Sequence, residues 1–320
     1  MRGASVHVVH VAPMAYGAGG VFGGGERYPL ELARAMARQT RTTLLTFGAE
    51  PGEHDEGPLH VTVLPLRGHL RDAINPLSER LLPALRRAEL VHVHHLESVL
   101  TDVALLATWR RPTPVFGTNH GGRSRHLHHR LRARWHDGLG AHLAVSRFAL
   151  EEYPRLVAGG SVIFGGADRP DPAAPTVRRE RKVVQVGRLL PHKGAHLLIQ
   201  ATPPDVALHL YGRPYDPAYA AELRRLAEGR DVTFHEGASN DEVTEAYRTA
   251  RAVVMASTKD ELLGLTLLEA QAQGTPVVAA ATGGMPEEWD RMSAAASATA
   301  AAEYTWDAVA NRCLVAYAQA

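Results

Sequence analysis

Cysteine is all but missing from this chain. The single Cys313 excludes an internal disulfide and suits a reducing compartment. An excess of one charge is missing as well. Against 35 Lys and Arg stand 34 Asp and Glu, so there is no global electrostatic reason to expect nucleic acid as a partner. The apolar start, Val6 to Ala12, is too short for a membrane span and is interrupted by His7 and His10. It reads as a buried first strand and not as a signal peptide, giving the expectation of a soluble cytoplasmic protein. A dinucleotide fingerprint is absent too. The glycine-rich stretch through Gly17, Gly20, Gly23 and Gly25 does not satisfy G-x-G-x-x-G spacing, which argues against NAD or FAD.

What is present is a core-forming chain of two-domain length. Apolar residues make up 45% of the 320 and charged residues 22%. Short apolar runs alternate with longer helical patterns, the signature of parallel sheets covered by helices. Strands are expected at Val6–Val11, Thr43–Phe47, Val61–Leu64, Leu90–His94, Val115–Thr118 and His142–Val145. A second series follows at Val183–Val186, Val206–Tyr211, Val232–His235, Ala252–Ala256 and Pro276–Ala280. Helical patterns occupy Glu26–Arg38 and Ser98–Arg110, among others. Between the two series, residues 167–182 carry Pro170, Pro172 and Pro175 and read as a linker. The fold class is therefore α/β, with two Rossmann-like domains and a cleft between them. Ligands of such sheets sit beyond the carboxyl ends of strands, so motifs there matter most.

Two motifs follow strands of the second series. Glu261 and Glu269 are separated by seven residues, with Gly264 placed to end an extended loop and Leu265 and Thr266 to open a helix. Amides at that helix start suit an anion. Glu269, a turn inside, can accept from ribose hydroxyls. Glu261, ahead of the helix, can accept from a sugar and is expected to have no partner until one is present. An ordinary surface glutamate before an amphipathic helix is the plain alternative. The second motif is Gly187-Arg188…Lys193-Gly194. Gly187 lets backbone approach a ligand, while Arg188 and Lys193 offer a fork and a point charge suited to a diphosphate. A solvated basic turn is the plain alternative here. In the first series, His120 follows the strand Val115–Thr118, where a ligand crevice is expected. His94-His95 and His126-x-His128-His129 invite a metal reading, but no Cys or acidic cluster completes either set, so none is expected.

The motifs Gly187-Arg188…Lys193-Gly194, Glu261…Glu269, Gly274-Thr-Pro276 and Thr282-Gly283-Gly284-Met-Pro286-Glu287 occur in the order and rough spacing of a known family. Val-His-Val-His94-His95 and Ala144-Val-Ser146 fit as well. Together they resemble retaining GT-B glycosyltransferases of family 4, over nearly the whole chain. The resemblance implies an N-terminal acceptor-side domain over 1–166, rejoined by a closing helix over 304–320, and a donor-binding domain over 183–303. It implies that Arg188 and Lys193 hold the donor diphosphate, Glu269 the ribose and Glu261 the transferred sugar. The backbone at Gly264, Leu265 and Thr266 would touch phosphate or sugar. Loops at Gly212 and Gly237 would take the base, Gly20 would lie near the phosphates, and His120 would orient sugar hydroxyls. The implied co-substrate is a nucleotide diphosphate sugar, UDP- or GDP-type, with no cofactor. The acceptor would be a sugar, a lipid-linked group or a small molecule.

No Asp-x-Asp follows any strand, so a metal-dependent GT-A site lacks its ligand pair. The chain departs from the family in running from Pro286-Glu287 almost at once to Trp289 and an Ala-rich stretch, which implies a shortened second domain. The segment 123–136 holds five Arg and four His without an acid. It is expected to be a helix with a solvated face, with peripheral contact to an anionic acceptor or the inner membrane face as the alternative. Two rival functions share the scaffold signals: a nucleotide-sugar epimerase or sugar-phosphate synthase, and a non-catalytic sugar-nucleotide-binding accessory protein.

Overall fold

The computed structural model describes residues 6–15, 24–69, 75–121, 135–156, 158–168, 177–286 and 304–319. The chain divides into two compact units. The first comprises Met1–Val21, Gly25–Phe164 and Trp306–Ala320; the second comprises Phe22–Gly24 and Gly165–Thr305.

The first unit is built on an eight-stranded sheet. Its strands are β1 (Val8–Ala15), β2 (Thr42–Gly48), β3 (Gly52–Glu56), β4 (Leu59–Pro65), β7 (Leu90–His94), β8 (Val115–Thr118), β9 (Ala141–Ala144) and β10 (Ser161–Val162). They lie in the order β10-β9-β8-β7-β1-β2-β4-β3, with every pairing parallel except β3 on β4. A small antiparallel pair, β5 (Gly68–His69) and β6 (Pro76–Leu77), stands apart. The first strand begins later than its apolar run suggested: Val6 and His7 precede it and Ala12–Ala15 extend it. The strand β3 was not anticipated. Its residues are polar and mostly exposed, as befits an antiparallel edge, and Arg34 fastens it through Glu56 at 2.7 Å.

Successive side chains of a strand point to opposite faces. On one face Val9, Val11, Val91 and Val93 pack with Leu100 and Ala104 of α3 (Val99–Thr108), beside α2 (Leu81–Leu85). The other face carries Ala12 and Leu44 against Leu30 and Ala33 of α1 (Gly24–Ala37). His10, His92 and His94 lie on that same face and are fully buried. The register sets His10 beside His92, and His94 beside Thr118. A short α4 (Arg147–Glu151) is capped by Ser146, whose hydroxyl accepts from the Ala149 amide at 3.1 Å.

The last helix among the described residues, here numbered α9 (Trp306–Gln319), completes this face. Trp306 sits edge-on to Tyr28 with ring centroids 5.3 Å apart, and Tyr317 meets His92. Arg38, just past the end of α1, pairs with Asp307 at 2.6 Å. Cys313 is buried in this helix, and burial pushes its thiol up to about 12, away from reactivity.

The second unit is a five-stranded, wholly parallel sheet in the order β13-β12-β11-β14-β15. Its strands are β11 (Lys182–Val186), β12 (Ala207–Tyr211), β13 (Val232–His235), β14 (Ala252–Met255) and β15 (Val277–Ala279). Between them run α5 (Ala195–Ala201), α6 (Pro217–Ala227), α7 (Asn240–Thr249) and α8 (Leu265–Ala272). Local chemistry sets the helix starts. Asp216 caps α6 with Pro217 following it, and Ser239 with Glu242 forms a reciprocal capping box on α7. One core packs Ile199, Leu208, Leu210, Tyr219 and Leu223 between sheet and helices. The strand order reverses at β11: the chain goes first to β12 on one side and later to β14 on the other. A crevice beyond the carboxyl ends of β11 and β14 is where such a sheet takes a ligand. Residues 287–303, where the family pattern is cut short, lie outside the described residues.

Candidate functional site

The loops beyond β11 and β14 bring together residues far apart in sequence. After β11, Gly187 takes φ 151°, and after β12, Gly212 takes φ 157°. A Cβ on Gly212 would stand 1.8 Å from the Gly187 carbonyl oxygen, so glycine is required for the two loops to cross. Arg188 follows, exposed and without an ion-pair partner among the described residues. A single 3-10 turn over Pro191–Lys193 then ends at Gly194, in the left-handed conformation at φ 72°. A Cβ on Gly194 would lie 2.0 Å from the Ala256 carbonyl oxygen, which ties this turn to the end of β14.

Across that seam Lys193 Nζ donates to Glu261 Oε1 at 2.5 Å, and the Ser257 hydroxyl donates to the same oxygen. Gln185 holds the turn by donating to the Lys193 carbonyl at 2.7 Å. This corrects the expectation that Glu261 stands without a partner before a sugar arrives. The carboxylate is preorganised by Lys193 and Ser257. The cause is the pairing of β11 with β14, which delivers both loops to one end of the sheet. The Glu261 main chain is held as well, its carbonyl accepting from the Gly284 amide at 2.7 Å. Beside the pair, His192 is partly buried. Desolvation first, then the charges of Lys193 and Arg188, depress its affinity for a proton.

Gly264, at φ 71°, opens α8 without a side-chain cap. The first amides of the helix, at Leu265 and Thr266, are thereby left for an acceptor from outside the helix. Glu269 lies one turn in, buried, and accepts from the Tyr247 hydroxyl at 3.1 Å. At the neighbouring strand ends, Tyr211 and His235 stack with centroids 4.0 Å apart and planes 4° from parallel. His235 also bonds His209 at 3.0 Å. Burial lowers the proton affinity of both histidines, which favours their neutral forms. Gly237 follows on an exposed loop with open space around it. The second unit thus gathers Gly187, Arg188, Lys193, Glu261, Gly264, Leu265, Thr266, Glu269 and Gly212 at the carboxyl ends of its strands. Gly20 and residues 123–134 of the basic segment lie outside the described residues.

The first unit holds His120, half-buried, just past β8. Its ring lies 4.7 Å from that of Tyr28, and Gly25 approaches its Cβ. His120 Nε2 is 3.0 Å from His94 Nδ1, and His94 Nε2 is 3.1 Å from His10 Nδ1. His10 Nε2 ends the row 3.3 Å from the Met36 sulfur. His94 and His120 stand out in the sequence, but their bond to each other and its continuation to His10 do not. The signal available was the Val-His-Val alternation in β1 and β7, which puts histidines on one face. Burial drives all of these rings toward the neutral form: His10 falls to about 3, and His92, His94 and His120 fall well below their usual value. His10, His92 and His94 each bring one ring nitrogen within 4.8 Å of the others. Both nitrogens of all three rings already have protein partners.

Two Rossmann-like sheets, each with its crossover helices, define the GT-B class of glycosyltransferase folds. The crystal structure of Anabaena Alr3699/HepE in complex with UDP superposes with a TM-score of 0.73 over 98% of this chain and 100% of that one, at 17% identity. A model described as Glycosyltransferase Family 4 matches residues 22–168, and one described as Glycosyl transferases group 1 matches residues 170–313. The chain belongs to this family, the group 1 glycosyl transferases of family 4. A D-inositol 3-phosphate glycosyltransferase of Mycobacterium sp. (strain KMS) is 40% identical over 116 residues, which are 34% of this chain and 26% of the relative. A GDP-mannose-dependent alpha-(1-6)-phosphatidylinositol monomannoside mannosyltransferase of Mycolicibacterium smegmatis is 36% identical over 138 residues, 37% of this chain and 36% of that protein. The matched part thus spans about a quarter to a third of these relatives' length. Among the described residues, no helix is long and apolar enough to cross a membrane.

Proposed function

We propose that the protein transfers a sugar from a nucleoside diphosphate sugar to an acceptor hydroxyl, with retention of anomeric configuration and without a metal. The observation that carries this reading is the Lys193–Glu261–Ser257 cluster beyond β11 and β14. It sets a cation for phosphate against a carboxylate for sugar hydroxyls. In this reading Arg188 and Lys193 bind the diphosphate, helped by the open amides of Leu265 and Thr266. Glu269 binds the ribose, Glu261 the transferred sugar, and the loops at Gly212 and Gly237 the base. His120 orients a sugar hydroxyl.

Chemically, charge builds on the leaving diphosphate as the glycosidic bond breaks. Fixed positive groups aimed at that charge stabilise the transition state more than the ground state. The acceptor oxygen attacks the face that the diphosphate leaves, and a phosphate oxygen takes its proton. The base is uracil or guanine, in keeping with the UDP of the Anabaena complex and the GDP-mannose in the mycobacterial relative's name. The basic run at 123–136 suits an anionic acceptor, at a membrane surface or free. The proposed domain assignment is an acceptor-side domain over 1–166, closed by the helix within 304–320, and a donor domain over 183–303.

The test is a thermal-shift screen of UDP, GDP, ADP and their sugars, followed by turnover with the donor that binds. A ligand at a hundredfold excess over its Kd adds about 2.7 kcal/mol of stability. Binding of a nucleotide sugar, and an axial product from an axial donor, support the reading. Binding without transfer or hydrolysis would favour a non-catalytic sugar-nucleotide protein instead.

A further inference from the structure

The row His120–His94–His10–Met36 has a direction, and its chemistry fixes that direction. A thioether sulfur carries no hydrogen, so the contact at 3.3 Å is attractive only if His10 Nε2 bears the proton. A neutral imidazole has one N–H, so His10 Nδ1 is then a lone pair. The 3.1 Å contact to it must be donated by His94 Nε2. His94 Nδ1 is accordingly a lone pair, and the 3.0 Å contact to it must be donated by His120 Nε2. His120 Nδ1 is left as a bare acceptor. It has no hydrogen-bond partner among the described residues.

His92 provides an independent reference. The Thr118 hydroxyl gives its only hydrogen to the Leu143 carbonyl at 2.8 Å, so the 2.8 Å contact between Thr118 and His92 is donated by His92 Nε2. His92 Nδ1 then accepts from the Tyr317 hydroxyl at 2.6 Å. His92 stacks on His94 at 4.5 Å but is not a link in the row. Its tautomer is set by Thr118 and not by Met36.

We infer that Met36, His10 and His94 are positioning residues that lock His120 in its Nε2–H tautomer, so that Nδ1 is presented as an acceptor for a ligand hydroxyl. The inference rests on the proposed function only in calling that hydroxyl a sugar's. The row itself is a property of the folded first unit. Moving the proton to His120 Nδ1 would put it on the ligand side, but it would break the bond to His94 and set the bare His120 Nε2 against the lone pair of His94 Nδ1. The low proton affinity that burial gives these rings keeps the arrangement neutral through the physiological range.

The experiment is two-bond proton–nitrogen correlation NMR on protein labelled with 15N-histidine, for wild type and Met36→Leu. Leucine keeps the apolar volume and removes the sulfur acceptor. In wild type, His10, His92, His94 and His120 should all show the Nε2–H pattern from pH 6 to 8. In Met36→Leu, His10, His94 and His120 should become mixtures of tautomers while His92 stays Nε2–H, which also reports an intact fold. Turnover of the donor found in the screen should fall several-fold in this variant, with affinity for its nucleoside diphosphate unchanged. A wild-type His120 in the Nδ1–H or cationic form overturns the inference. So does a Met36→Leu spectrum in which none of the three rings changes, or a metal ion bound by His10 and His94 in purified protein. Absence of turnover with every donor would count against the glycosyltransferase reading, while the spectra would still decide the row.

Discussion

Lys193 and Glu261 stand 68 residues apart in sequence and 2.5 Å apart in space, joined before any ligand is present. An arriving diphosphate must share Lys193 with a carboxylate, so the two residues are energetically coupled. Lys193→Ala should weaken nucleoside diphosphate binding by about 1.5–3 kcal/mol, roughly 10- to 150-fold. Glu261→Gln removes the competing charge, so it should bind the same nucleotide at least as tightly as wild type yet lose turnover of the full donor. Calorimetry on both variants and the double variant checks this. Strictly additive effects would mean that the pair is not coupled.

Tyr247 steers Glu269 through one hydrogen bond. Tyr247→Phe should weaken nucleoside diphosphate binding about two- to tenfold, in line with a net 0.5–1.5 kcal/mol. Glu269→Ala should weaken it more. Neither should alter the affinity for inorganic pyrophosphate, which lacks a ribose. An equal loss for pyrophosphate would remove Glu269 from the ribose.

Gly283 adopts φ 58°, and a Cβ there would stand 2.4 Å from the Glu261 carbonyl oxygen. Gly283→Ala should displace Glu261, lowering turnover at least tenfold along with stability. Gly57 makes a matched control: its φ is 59°, and nothing lies within 4 Å of an added Cβ. Gly57→Ala should carry only the left-handed backbone cost of about 1–2 kcal/mol and keep full activity. Equal losses of activity in both variants would sink the argument.

Acid should destabilise the fold earlier than carboxylate titration would. Burial depresses His10 to about 3 and His142 to about 4, while the unfolded chain takes up these protons near pH 6.5. The unfolded state therefore binds more protons between those values. Stability is fully present above pH 6.5 and falls as pH drops, by about 1.4 kcal/mol per pH unit for each ring. The other depressed histidines of the row add in the same sense. Urea midpoints at pH 7.5 and 5.5 should differ accordingly, and His142→Phe should flatten the dependence by about one proton. A wild-type midpoint that does not change with pH would contradict the burial of these rings in the neutral form.

Transfer should survive EDTA, because Arg188, Lys193 and the α8 amides are assigned the positive charge of the site. Complete loss on chelation, restored by magnesium or manganese, would replace that assignment with a metal.

The alternating apolar runs carried most of the parallel strands, and the motifs after them carried the candidate loops. Leu90–His94, Val115–Thr118 and Val232–His235 match their apolar runs end to end. The strand Gly52–Glu56 was not legible because an exposed edge has no apolar face to advertise it. The Lys193–Glu261 pair was not legible because it depends on β14, and not the sequentially adjacent β12, lying on the far side of β11. The histidine row was hidden for the same reason. Period two places His92 and His94 on one face, but only the order β8-β7-β1 brings His120 and His10 to either side of them.

The helix over 306–319 has a consequence for a chain emerging from the ribosome. Trp306, Val309, Cys313 and Tyr317 fill the face of the first unit, yet they are synthesised after the whole of the second. During that interval the nascent sheet carries an open apolar seam. His92 meanwhile lacks the hydroxyl that Tyr317 will bring. The first unit is thus begun before the second and closed only after it.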